Sequence, residues 1–113
     1  MSYTDFETWK NQLRTSFKIT MYGCDDDKMY DKASKEFDEA IDYALKSDSP
    51  NYAIEIMKLF CDNEDYGTLE SCFRVLSNMS PKVIAKAFKV HGTELKKQSN
   101  FWYSEIKDLL KDF

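Results

Sequence analysis

Cys61, Cys72 and His91 are the residues of this chain whose side chains could carry covalent chemistry. A thiol becomes a nucleophile when a neighbouring base or cation favours its thiolate, and histidine is the usual base. Their surroundings in the sequence argue against that use. Both cysteines fall on the apolar side of a helical pattern, where a thiol behaves as a small buried hydrophobe. His91, followed by Gly92, takes a last-turn position that suits a cation near a helix C-terminus. The third cysteine, Cys24, makes the number odd, and no Cys-x-x-Cys pair is present. Reduced thiols and a cytoplasmic address are therefore expected, and a structural zinc site is not. No catalytic residue, no metal and no cofactor are assigned, and the chain is not expected to be an enzyme.

Asp25-Asp26-Asp27 raises the question of calcium. A calcium loop places oxygen ligands at alternate positions, with a glycine at the sixth and a glutamate at the twelfth. Counted from Asp25, the sixth residue is Tyr30 and the twelfth is Glu36, so the turn glycine is missing. Three carboxylates at the start of a helix, favourably placed against its positive end, are the simpler account. The glycines stand alone at 23, 67 and 92, so no glycine-rich phosphate loop exists and a nucleotide-binding enzyme is disfavoured.

The charge is unevenly distributed. Residues 23–48 hold nine carboxylates against four lysines, and residues 49–70 five against one. Residues 71–98 reverse the sign, with six lysines and arginines against a single glutamate. Such asymmetry governs partners and association rates rather than fold. Within the acidic part, Asp25, Asp26, Asp27, Asp31, Asp62, Glu64 and Asp65, with Tyr66 as an aromatic anchor, form the candidate partner-binding set. The basic part offers Arg74, Lys82, Lys86, Lys89, Lys96 and Lys97 as a rival phosphate-binding face on a chain whose net charge is −4.

The elements that must position these groups are helical. Only three glycines and two prolines occur in 113 residues, too few turn residues for many short strands. A first helix is predicted over Asp5–Ile19, opened by a Thr4/Glu7 capping box and burying Phe6, Trp9, Leu13 and Phe17. Gly23 is its expected stop. A second, Lys28–Lys46, buries Tyr30, Ala33, Phe37, Ala40, Ile41 and Ala44. A central helix, Tyr52–Cys61, follows the Ser49-Pro50 start signal, apolar all round except for the strip Glu55/Lys58. Burying it is expected to bring the acidic stretches before and after it onto one surface. Thr68–Met79 forms a fourth helix after an acidic loop that includes Tyr66. Ser80-Pro81 opens a fifth, which stops at His91-Gly92. The last stretch, Thr93–Phe113, is helical, with Ser99-Asn100 either breaking it or running through. The expectation is one all-α domain over residues 1–113 with about six antiparallel helices. The paired Ser-Pro starts, each followed by about eleven helical residues, keep a short HEAT-like hairpin array open as the arrangement. No signal peptide or membrane span is expected, because Asp5, Glu7, Lys10, Arg14 and Lys18 interrupt the first twenty residues.

A short acidic helical domain without catalytic residues, with its Ser49-Pro50 and Ser80-Pro81 helix starts and acidic 23–70 segment, resembles the all-helical immunity proteins of bacterial contact-dependent inhibition and other polymorphic toxin systems. The resemblance implies a cytosolic protein that binds one cognate toxin, often a nuclease, and blocks its substrate site. It brings no residue assignments, since no family motif is matched. The expected partner is thus a basic protein, a toxin domain, covered by the acidic surface. A nucleic-acid-binding regulator is the alternative, and neither a membrane nor a small-molecule substrate is expected.

Overall fold

Six helices make up the computed structural model, which describes residues 3–62 and 66–111 and contains no strand among them. They are α1 (Phe6–Tyr22), α2 (Asp27–Ser47), α3 (Pro50–Met57), α4 (Tyr66–Asn78), α5 (Pro81–Gln98) and α6 (Asn100–Asp108). The fold is all-α. The chain divides into two compact units, Met1–Tyr43 and Ala44–Phe113, with the division inside α2. No described helix is long and apolar enough to cross a membrane.

In the first unit α1 and α2 run antiparallel, because contacts pair rising α1 numbers with falling α2 numbers. Tyr3 meets Tyr43 edge-on, the Trp9 indole N–H donates to the Ala40 carbonyl at 2.9 Å, and Gln12 Nε2 donates to the Glu36 carbonyl at 3.1 Å. Trp9, Leu13, Phe17 and Met21 are buried against Ala33, Phe37, Ala40 and Ile41. The small alanines let the large α1 rings approach the α2 backbone. The cap of α1 is one residue later than the capping box predicted. The Asp5 side chain accepts from the Thr8 N–H at 2.7 Å, while Glu7 faces out and pairs with Lys10 at 3.0 Å. A carboxylate outcompetes a threonine hydroxyl for this amide because the bond is charge-assisted. Gly23 ends α1 as expected, with φ +79° and its N–H on the Ile19 carbonyl. Three further residues, Thr20, Met21 and Tyr22, join the helix before it.

In the second unit α3 packs on α4 and α5, and α5 on α6. Trp102 is the hub, with the rings of Phe60, Phe73 and Phe101 centred 5.0, 5.7 and 5.0 Å away. Ala53, Ile56, Met57, Leu69, Cys72, Leu76, Leu95 and Ile106 complete the buried interior. The central helix is shorter than predicted, closing at Met57, with Lys58–Cys61 leaving as turn and irregular chain. Of its polar strip Lys58 is exposed, while Glu55 is 7 % exposed and accepts from Lys58 Nζ at 2.8 Å. A carboxylate can be held there because the ammonium stays close and partly wet. Ser49 and Ser80 occupy N-cap positions before Pro50 and Pro81, yet neither hydroxyl caps its own helix. The helices they open have 8 and 18 residues rather than about eleven each, so the length match that suggested a repeat is lost.

The fifth helix does not stop at His91-Gly92. It continues to Gln98, and the chain breaks at Ser99, whose Oγ accepts from the Trp102 N–H at 3.2 Å as N-cap of α6. The reason is packing beyond Gly92. Leu95 is fully buried, and Gln98 Nε2 donates to both the Met57 and Phe60 carbonyls at 3.0 Å, satisfying the end of α3. His91 is therefore mid-helix, with Nε2 2.5 Å from Gln98 Oε1. Since the Gln98 amide nitrogen already faces two carbonyls, its oxygen accepts and His91 Nε2 carries the proton.

Candidate functional site

The acidic residues singled out from the sequence fall in different units. Asp25, Asp26, Asp27 and Asp31 belong to the first and Asp62 to the second, while Glu64 and Asp65 lie outside the described residues. Tyr66 is the first residue of α4 rather than a loop residue, and its side chain is outside the description.

At the corner between α1 and α2, every residue from Tyr22 to Lys32 is exposed. The first turn and a half of α2 is thus bare around its whole circumference. The corner is built by Asp26, whose Oδ1 accepts from the Lys28 and Met29 amides at 2.9 and 3.3 Å and whose carbonyl accepts from Tyr30 N at 2.9 Å. Asp26 is the N-cap of α2, and Asp25 and Asp27 flank it at the positive end of the helix. Cys24 is exposed, its Sγ 3.2 Å from the Asp26 carbonyl.

Large apolar side chains stand among these carboxylates: Tyr22 is 66 % exposed, Met29 51 % and Tyr30 38 %. Tyr30 was expected in the core. It shares the Ala33/Phe37 stripe of α2, yet it is exposed where those two residues are buried. Tyr22 was weighed from the sequence as an interface tyrosine of the acidic segment, whereas Met29 was missed, because periodicity reports which face is apolar and not how much of it is covered. Farther along α2, Asp38, Glu39 and Asp42 are also exposed. The negative field there reaches Tyr3, whose phenol is pushed up first by its burial and then by the charges of Glu39 and Glu36.

Asp62 has a different occupation. Its Oδ1 accepts from Ser99 Oγ at 2.5 Å, fastening the N-cap of α6. Of the basic set, Arg74, Lys82, Lys86, Lys89, Lys96 and Lys97 are all exposed. Cys72 is fully buried, and burial pushes its thiol far above the ordinary range, away from the reactive thiolate. No group of three potential metal-ligating side chains comes together among the described residues. A cleft of about 510 Å³ between α4 and α6, edged by Glu70, Arg74, Phe101 and Glu105, had no signal in the sequence, because its walls come from segments thirty residues apart. Neither family models, nor curated proteins, nor solved structures give a match to this chain.

Proposed function

We propose that this chain is a non-enzymatic binding protein that neutralises a basic protein partner, a toxin domain of the nuclease type, by covering its substrate site. The observation that carries this is the Tyr22–Lys32 corner, where four aspartates surround three exposed large apolar side chains. A cleft that holds RNA or DNA needs a positive lining, and carboxylates at Asp25, Asp27 and Asp31 can stand where phosphates would stand. Tyr22, Met29 and Tyr30 supply the apolar area that charge alone does not, tyrosine and methionine both being favoured at protein interfaces. The exposed acids farther along α2 extend the attraction and speed encounter. In this proposal Asp26 and Asp62 shape the protein rather than touch the partner, since their carboxylates are engaged within it.

The test begins with capture of the partner from cells that also express the adjacent gene, where a stoichiometric basic protein is expected. The D25N/D27N/D31N variant should then associate at least about tenfold more slowly at low salt and respond less to added salt, with an unchanged circular dichroism spectrum. Capture of no basic protein, or association by the variant at the wild-type rate, would overturn the proposal. Asp62 is left out of the variant because losing its bond to Ser99 would disturb α6.

A further inference from the structure

The second unit carries a groove between the end of α5 and the length of α6, of about 690 Å³, whose floor is Phe88 and Tyr103. The two rings are stacked, 29° apart in plane and 5.2 Å between centres. Two ammonium groups converge on the same ring: Lys96 Nζ is 5.6 Å and Lys107 Nζ 5.8 Å from the centre of Tyr103. Each gains a modest attraction from the ring, but two like charges gathered on one ring repel each other. Nearby lysines have carboxylate partners, Lys97 with Glu94 at 3.4 Å and Lys111 with Asp108 at 3.6 Å. Among the described residues no ion pair joins Lys96 or Lys107 to a carboxylate. Asn100 and Ser104, one turn apart on α6, add neutral hydrogen-bond donors to the same wall.

From this convergence we propose that the groove binds a compact phosphorylated ligand, whose oxyanion lies between Lys96 and Lys107 over the edge of Tyr103. A doubly charged phosphate would offset the repulsion between the two ammonium groups and accept from the Asn100 and Ser104 side chains. The volume lies in the range of small-ligand sites. Asp108 and Lys111, paired with each other, also line the groove. The site shares no residue with the Tyr22–Lys32 corner, so either proposal can fail without the other.

Titration of the full chain with pyrophosphate, followed by amide chemical shifts, tests it. Saturable shifts at Lys96, Tyr103 and Lys107 are expected, and the K96Q/K107Q variant should bind at least about tenfold more weakly. K82Q/K86Q, which removes two charges from elsewhere on α5, should bind as the wild type does, and spectra of both variants report whether they are folded. Shifts that stay linear to about 10 mM pyrophosphate, or equal affinity in K96Q/K107Q, would overturn the proposal. Tighter binding of a short oligodeoxynucleotide than of pyrophosphate at these same residues would also overturn it, giving the groove to a nucleic-acid strand.

Discussion

Twice in the second unit an aspartate reaches a serine that starts a distant helix. Asp48 accepts from the Ser80 N–H at 2.8 Å and from the Ser80 hydroxyl, at the N-cap of α5; Asp62 does the same for the Ser99 hydroxyl at the N-cap of α6. Each places a negative charge at the positive end of a helix it does not belong to. Asp48 does so from φ +46°, a left-handed conformation that aspartate and asparagine tolerate better than most residues. Asp48→Ala is expected to lower the thermal midpoint. Asp48→Asn should fall between wild type and alanine, because asparagine accepts from the Ser80 amide and keeps the backbone preference. An Asp48→Ala midpoint equal to that of the wild type would show that the carboxylate is idle. None of this was legible in the sequence. Serine before proline correctly marked both helix starts, but a residue 32 positions away leaves no local trace, and Asp62 was read as a surface acid for the same reason.

At the level of elements, existence was legible and ends were not. Apolar spacing located all six helices, and the open question at Ser99-Asn100 is resolved by the Ser99 cap. The errors at α3 and α5 have one cause. Both ends meet at Gln98: α3 closes at Met57, and α5 runs on far enough for the Gln98 amide to reach the Met57 and Phe60 carbonyls. Long-range packing outweighed the glycine at 92, whose intrinsic cost in a helix is only about 1 kcal/mol. A β-carbon added there would meet the Phe88 ring at 3.5 Å, an ordinary contact. Gly92→Ala is therefore expected to stabilise the protein by about 0.5–1 kcal/mol, measured by urea denaturation. A destabilised variant would mean that Phe88 cannot accept the methyl group. In the opposite direction, Ser99→Ala should cost about 1 kcal/mol or more through loss of both the α6 cap and the Asp62 bond.

For the molecule as a whole, the charge asymmetry was legible, but whether acids serve the surface or the fold was not. Burial and bonding divide them: Asp5 and Asp48 are held below the usual carboxylate range, Asp5 by the Thr8 amide first and Asp48 by the Ser80 hydroxyl first. A depressed carboxylate contributes stability in full above its unfolded value of about 3.9 and loses it as pH falls through the lower folded value. Urea midpoints should therefore drop below about pH 4, and the D5N/D48N variant, which cannot titrate at either position, should show a shallower drop. An identical acid dependence would assign the loss to other carboxylates. The two aspartate–serine fasteners also set an order in time. On a chain made from its N-terminus, Asp48 emerges 32 residues before Ser80, and Asp62 37 residues before Ser99. Until synthesis has passed each serine, the corresponding aspartate has no serine to fasten, so the second unit closes only after Ser99 and the start of α6 have been made.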